Sequence, residues 1–193
     1  MRLSPPLAVA ALLAAAAGPP TWAQAPAAAP AAAAAAPKRP DGLPLVFKSG
    51  EGQARGTGTL TAGPRGVLVR LELTGLTPGW HAVHFHQTAD CTDPGLQKSG
   101  AHIQHGEKRP HGFLNPGGPD AGDLPNVWAD AKGEVHAEVA STRVNADKAD
   151  KERANLMDAD GSALIVHASP DDAVSQPIGG AGARVACALI TQP

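Results

Sequence analysis

From Leu43 onward the chain is built of short stretches in which apolar residues alternate with polar or small ones, and this period of two limits the fold more than any other feature. The stretches are Leu43 to Phe47, Gly56 to Leu60, Val67 to Leu73, Val135 to Val139, Leu164 to Val166 and Val185 to Ile190. Successive side chains of a strand point to opposite faces, so each stretch reads as a half-buried β-strand. Gly, Pro, Asp and Asn, the residues of tight turns, fill the gaps. With 22 Gly, 19 Pro, no Tyr and 3% aromatic residues, the chain is richer in turn punctuation than in material for long packed helices. An all-β domain of antiparallel sheet over residues 43–193 is the expectation, with no internal repeat.

What precedes that domain reads as export machinery. Met1 to Ala25 carries one charge, Arg2, then the apolar run Leu7 to Ala17, then small residues suited to cleavage after Ala23 or Ala25. The run breaks at Gly18-Pro19-Pro20, short of the about 20 apolar residues that a membrane span needs. Residues 1–25 are therefore expected to be a signal peptide, and no membrane attachment is expected after its removal. Residues 26–42, almost wholly Ala and Pro at first and ending near Lys38-Arg39-Pro40, read as a disordered tether, because repeated prolines interrupt any helix the alanines begin. The net charge of -2 gives no reason to expect nucleic acid as a partner. Losing Arg2 leaves 15 basic against 18 acidic residues, a net charge of -3.

Between Thr88 and Asn126 the alternation stops, and an irregular segment of that length inside a compact domain is usually functional or disordered. It contains Cys91 and several of the eight histidines. His84 and His86, just before it, are two residues apart, which on a strand puts both imidazoles on one face, aimed at one metal. His81 differs from them by an odd number and faces the other way, where a structural hydrogen bond is its expected role. His102, His111, Asp120 and Asp123 in the segment, and His167 after Ala163-Leu-Ile-Val166, complete the set. Imidazole suits copper and zinc, carboxylate with imidazole suits zinc, and this many ligands imply two adjacent sites. Two cysteines leave one bridge, two free thiols or a redox pair.

In this constellation the chain resembles copper/zinc superoxide dismutases, and the bacterial periplasmic branch most closely, over about residues 43–193. The segment Gly179-Gly-Ala-Gly-Ala-Arg-Val-Ala-Cys187-Ala-Leu-Ile190 fits the family's C-terminal signature throughout. Around His84-Phe85-His86 the fit is looser: Val83 stands where an aromatic is usual, and Ala82 and Ala89 where glycine is usual. The resemblance implies an eight-stranded antiparallel Greek-key barrel, flattened like a sandwich, with the metals beneath long metal-binding and electrostatic loops.

It also implies roles for individual residues. His84, His86, His102 and His167 match the copper ligands, with His102 shared between copper and zinc. His111 and Asp123 match zinc ligands, and Asp171 matches a carboxylate linking a copper histidine to a zinc histidine. Asp120 occupies the place of the third zinc histidine, so either zinc is held by His102, His111, Asp120 and Asp123 or its site is weak or empty. His105, where the family has proline, is a possible substitute ligand. Cys91 and Cys187 match the family's disulfide, and Arg184 its substrate-attracting arginine.

The function implied is superoxide dismutation: superoxide becomes oxygen and hydrogen peroxide through alternating reduction and oxidation of the histidine-bound copper, with His102 as the proton carrier. Superoxide is the expected partner, the periplasm the expected location, and both monomer and homodimer remain open. The alternative is a periplasmic copper/zinc-binding protein of the same fold without useful turnover.

Overall fold

In chain order the strands are β1 (Leu43–Lys48), β2 (Ala54–Gly63), β3 (Gly66–Leu73), β4 (Gly79–His81), β5 (Val83–His86), β6 (Val127–Ala129), β7 (Val135–Ser141), β8 (Val144–Asn145), β9 (Ala154–Asn155), β10 (Ser162–His167) and β11 (Arg184–Ile190). They belong to a computed structural model that describes residues 41–147 and 149–192. The expected signal segment, and all of the expected tether except Asp41 and Gly42, lie outside the described residues. One 3₁₀ turn, Gln97–Ser99, is the only helix among the described residues. Each alternating stretch of the sequence forms a strand within a few residues of its expected ends. β4, β6, β8 and β9 are too short to show a periodicity of their own.

Seven strands form one antiparallel sheet in the order β5-β10-β11-β1-β2-β3-β7. Sheet neighbours distant in sequence, such as β1 beside β11, give the crossovers of Greek-key connectivity. The two edges are joined by one extended segment, Gly79–His86, which divides at Ala82. Its first half, β4, pairs with β6, which lies beside β7 at one edge, while its second half, β5, pairs with β10 at the other. Counting that segment once, and setting aside the two-residue β8 and β9, gives the expected eight strands. β8 and β9 add a short parallel pair outside this set.

Closing the sheet gives every strand an inner face, and alternate residues such as Leu45, Phe47, Val69, Leu71, Phe85 and Leu164 fill it. Each is fully buried, and removal of such a side chain from water contributes about 1.5–3 kcal/mol. β5 and β10 differ from the simple alternation, since all their residues are buried. Val83, Phe85, Leu164 and Val166 face the core, and the long loops cover the outer face. On β10 and β11 the outward Ala163, Ile165 and Cys187 pack with Leu96 and Cys91 of the loop.

That outer cluster is tied by the Cys91–Cys187 disulfide, which joins residues 96 apart in sequence. Closing so long a loop removes chain entropy from the unfolded state. Replacing both cysteines by serine should therefore lower unfolding free energy by about 4–5 kcal/mol. Urea unfolding of oxidised parent and double variant measures the difference; equal midpoints and slopes would contradict it.

Candidate metal centre

β5 is an edge of the large sheet, and the irregular segment supplies the pairing that its free side lacks. Phe85 donates its backbone N–H to the Gly122 carbonyl (2.9 Å) and accepts from Ile103 N–H (3.0 Å). Satisfying the edge in this way draws the segment against the strand. Residue pairs His86–His102 and His84–Asp123 then lie opposite each other. Gly122 is needed for the close approach: a Cβ there would fall 2.4 Å from the Phe85 carbonyl oxygen and 3.0 Å from His102 Cβ. At the other end, a register shift between Val166 and His167 sets His167 opposite Arg184.

The four imidazoles expected around copper meet in a ring. Centroid separations are 4.2 Å for His84–His102, 5.1 Å for His102–His86, 5.8 Å for His86–His167 and 4.9 Å for His167–His84. All four side chains are buried. Each has one nitrogen fixed by an oxygen of the protein: His84 Nε2 by Asp171 Oδ2 (3.2 Å), His86 Nδ1 by the Gly100 carbonyl (2.9 Å), His102 Nδ1 by Asp120 Oδ2 (3.0 Å) and His167 Nδ1 by the Gly182 carbonyl (3.2 Å). The other nitrogen of each, Nδ1 of His84 and Nε2 of the remaining three, is buried without a hydrogen-bond partner. Four orphaned imidazole nitrogens in one place would be costly in a protein that used none of them as ligands. Fixing the outer nitrogen is how a protein sets the tautomer and aim of a metal-binding histidine. The donor set fits copper.

Beside this ring lies a second group of donors. His111 Nδ1 is 2.5 Å from Asp123 Oδ1, and His102 Nδ1 is 3.3 Å from that oxygen and 3.0 Å from Asp120 Oδ2. Tetrahedral zinc with bonds near 2.0 Å needs donors about 3.3 Å apart; His102 Nδ1 and Asp123 Oδ1 stand at that separation, His111 Nδ1 and Asp123 Oδ1 are in hydrogen-bond contact, and Asp120 is in neither of the groups of mutually close donors. Asp120 is buried, and its second oxygen accepts the Gly122 N–H (2.9 Å). Donors of His84, His102, His111 and Asp123 all lie within 4.8 Å of one another, as do those of His84, His86 and His167. His84 falls in both sets because it stands between them, and its free Nδ1 assigns it to the copper ring.

Asp171 links the two groups, with Oδ2 on His84 Nε2 and Oδ1 accepting from His111 Nε2 (2.9 Å). Gly179 makes room for that carboxylate. A Cβ at Gly179, whose φ is +62°, would overlap Asp171 Oδ1 and press on His111 Nε2, which gives this glycine of the C-terminal motif a direct steric purpose.

Proton affinities follow the same division. Burial drives His84 below the ordinary histidine value and His86 well below it, and holds His167 at about 3. These rings are kept neutral, as ligands must be. For His111 the burial cost is outweighed by Asp123 and Asp171, which raise it to about 10; His102 is likewise raised by Asp120 and Asp123 against its desolvation. Desolvation of Asp123 is overcome by His102 and His111, and that of Asp171 by His111 and His84, so both carboxyls lie well below the usual range.

Arg184 lines an open cleft of about 920 Å³ together with His102 and His111. Its guanidinium donates to the Leu96 carbonyl (2.7 Å), Ser99 Oγ (2.9 Å) and the Gly100 carbonyl (2.7 Å). Gly100 thus ties Arg184 to the copper-ring histidine His86. Positive φ at Leu96 (55°) and Gly100 (79°) shapes the turn that presents these carbonyls. His105 is exposed and lines a different cleft with Arg143 and Arg153, away from the ring and from His102's zinc-facing nitrogen. His81 faces away from the ring as expected, its nitrogens 2.6 Å from the His167 carbonyl and 2.7 Å from the Thr77 carbonyl. Val83 and Ala82 are fully buried, so these departures from the family pattern are accommodated by packing.

Three side-chain amides that the sequence did not mark hold the loops. Gln176 accepts from His111 N–H (3.0 Å) and donates to its carbonyl (2.8 Å); Asn126 does the same for Asp171 (2.9 Å each) and Gln104 for Arg109 (3.1 and 3.3 Å). Each amide closes a two-bond ring with one residue's backbone. A lone Gln or Asn in a loop carries no spacing signal that would have identified it.

The histidine shifts predict how the metal-free protein responds to acid. His167, with its folded value depressed to about 3, contributes stability above its ordinary 6.5 that is lost as pH falls from 6.5 towards 3. His84 and His86, also depressed, act in the same direction. His111, raised to about 10, and His102, also raised, contribute stability that is complete below 6.5 and is lost as pH rises through the raised values; from pH 7 to pH 4.5 they regain only the small part already lost at pH 7, against a larger loss from the three depressed histidines. Chelator-stripped protein should melt at a lower temperature at pH 4.5 than at pH 7. A melting temperature unchanged or higher at pH 4.5 would contradict this.

Comparison with known proteins gives a consistent relationship. Residues 52–190 match the family model described as copper/zinc superoxide dismutase. A protein of Caulobacter vibrioides named superoxide dismutase [Cu-Zn] is 52% identical over 145 residues, which cover 75% of this chain and 83% of that one. Superoxide dismutase [Cu-Zn] 2 of Aquifex aeolicus is 39% identical, with coverage of 72% and 81%. The Cu/Zn superoxide dismutase from Brucella abortus superposes with a TM-score of 0.60 at 27% identity, covering 78% of this chain and 99% of that one. A superoxide dismutase-like protein from Bacillus subtilis does so with 0.72 at 30%, covering 78% and 99%. With its sheet closed in Greek-key fashion and the family model spanning most of its length, the chain belongs to the copper/zinc superoxide dismutase family.

Proposed function

We propose that the protein is a superoxide dismutase, with copper held by His84, His86, His102 and His167 and zinc by His102, His111, Asp120 and Asp123. The observation that carries this reading is the ring of four buried imidazole nitrogens without partners, one of whose histidines, His102, lines the same cleft as Arg184. Copper bound there supplies one-electron chemistry, and two superoxide ions with two protons become one O₂ and one H₂O₂. The residues do the remaining work. Arg184, fixed by three hydrogen bonds and permanently charged, draws the anion in and orients it. His102, reached from the cleft, is the ring that delivers a proton at Nε2 to the reduced oxygen, and solvent in the open cleft supplies the second proton. Zinc held by His111, Asp120 and Asp123 would take the other nitrogen of His102, Nδ1, in place of its hydrogen bonds to those carboxylates, and Asp171 orients His84 and His111 together.

Residues 1–25 are assigned as a signal peptide and residues 26–42 as a tether, so that the domain of residues 43–193 works in the periplasm. Among the described residues no helix is long and apolar enough to cross a membrane. The disulfide is consistent with an oxidising compartment.

Turnover separates this reading from a protein that only binds metal. Purified protein loaded with copper, and with copper and zinc, should consume superoxide far faster than buffer; a rate equal to buffer in both states would leave only the binding role. Arg184→Glu should slow consumption at least about tenfold, because repulsion replaces attraction where the anion arrives. A rate within twofold of the parent would remove Arg184 from its role. Asp120→His should tighten zinc binding about tenfold, and Asp120→Ala should loosen it, since zinc prefers nitrogen to a second carboxylate but needs a fourth donor. Equal zinc affinities in calorimetric titration of all three proteins would take Asp120 out of the site.

A further inference from the structure

β8 and β9 run parallel, with Val144 opposite Ala154 and Asn145 opposite Asn155. Val144 and Ala154 are buried, so the residue before each, Arg143 and Arg153, turns to the opposite face. The register thus sets two arginines side by side, an arrangement that like-charge repulsion opposes unless an anion neutralises it. The backbone beneath them is fixed. Ala154 N–H donates to the Arg143 carbonyl (3.3 Å), Arg143 N–H to Ser141 Oγ (3.2 Å) and Asn145 Nδ2 to the Arg153 carbonyl (2.9 Å). Arg153 is matched by Asp150, which accepts from its Nε (2.7 Å) and from a terminal nitrogen. Arg143 is partly buried, yet its guanidinium makes no hydrogen bond or ion pair with a described residue.

Both arginines line a cleft of about 320 Å³ that is distinct from the one over the metal centre and shares only Gln104 and Arg109 with it. The turn of residues 104–109 forms its other wall, and Gln104 fixes that turn by binding the N–H and carbonyl of Arg109 (3.1 and 3.3 Å). The Arg109 guanidinium, like that of Arg143, has no partner among the described residues. His105 and Thr142 add further donors, and Glu152 is the one carboxylate among the described residues of the lining.

A guanidinium presents a planar fork that takes two oxygens at once. A carboxylate has two oxygens and satisfies one fork. A phosphomonoester has three terminal oxygens and about two negative charges at neutral pH, so it bridges two forks and offsets the repulsion between the arginines. The volume lies at the lower end of small-molecule sites, about 300–1,000 Å³, which suits a phosphate carrying a small organic group.

We propose that this cleft binds the terminal phosphate of a phosphomonoester, with Arg143 and Arg109 as its two forks and Arg153 beside them. The site uses no metal ligand and is independent of the dismutase reading. The same phosphate chemistry occurs on soluble esters and on the headgroup of phosphatidic acid.

Calorimetric titration of the copper- and zinc-loaded protein with glycerol 3-phosphate tests it, at about 0.15 M ionic strength, where the Debye length is about 8 Å. One saturable site is expected, with acetate at least about tenfold weaker. Arg143→Gln and Arg109→Gln should each weaken the ester at least about tenfold, the loss that follows from removing a hydrogen bond to a charged group. Arg184→Glu, which alters the cleft over the metals, should leave the affinity within about twofold. A second readout needs no variant: with copper reduced and diamagnetic, the ester should shift the backbone amide resonances of Thr142, Arg143 and Arg153 with the calorimetric affinity, and leave Gly182 and Ala183 beside Arg184 in place. Cosedimentation with phosphatidic acid vesicles that is lost in Arg143→Gln would assign the phosphate to a lipid headgroup; ester binding without cosedimentation would assign it to a soluble molecule. Failure of both ester and vesicles to bind, acetate binding as tightly as the ester, or binding lost in Arg184→Glu and kept in Arg143→Gln would overturn the proposal.

Discussion

Everything at this centre depends on the outer nitrogens of four imidazoles being held by oxygens of the protein. Asp171, Asp120 and the carbonyls of Gly100 and Gly182 each take one ring nitrogen and so turn the other inward. The inward nitrogens are buried and unpartnered, a state that bare folding does not reward and that metal binding does. The cost of keeping them neutral appears as depressed proton affinity at His84, His86 and His167. A scaffold rigid enough to impose this is the condition for the chemistry.

The barrel supplies that rigidity through an unusual use of one strand. Gly79–His86 joins the two edges of the sheet, and its second half exchanges hydrogen bonds with the irregular segment on its free side. The same alternation that sends Val83 and Phe85 into the core sends His84 and His86 to the cluster of imidazoles. Loop and barrel are also fastened covalently at Cys91–Cys187 and by three amide side chains that grip the backbone of Arg109, His111 and Asp171. Function and stability here draw on the same contacts.

Much of this was legible in the sequence, for definite reasons. Strand periodicity survives in sequence because each residue chooses between only two faces, and the spacing of His84 and His86 against His81 separates two rings with an unpartnered buried nitrogen from one bonded to two carbonyls. The division of His102, His111, Asp123 and His167 between two metals, and the role of Asp171, came from resemblance, since residues brought together by loops carry no common period. Burial on both faces of β5 and β10 was not visible, because an outward alanine or isoleucine under a loop reads like one in solvent. β4 and β6 are too short to alternate. Asp120 was legible as a departure but not as a geometry: its approach to His102 Nδ1 depends on Gly122 letting the chain close on Phe85. His105, a possible substitute ligand by sequence position, faces another cleft because the turn of residues 104–109 points it away.

The central claim is that four imidazole nitrogens from distant parts of the chain converge on one ion. X-ray absorption fine structure of the protein loaded with one equivalent of oxidised copper tests it directly. The account predicts a first shell containing four imidazole nitrogens, with the outer-shell scattering of their rings. A first shell with two or fewer imidazoles, or one dominated by carboxylate oxygen, would contradict it.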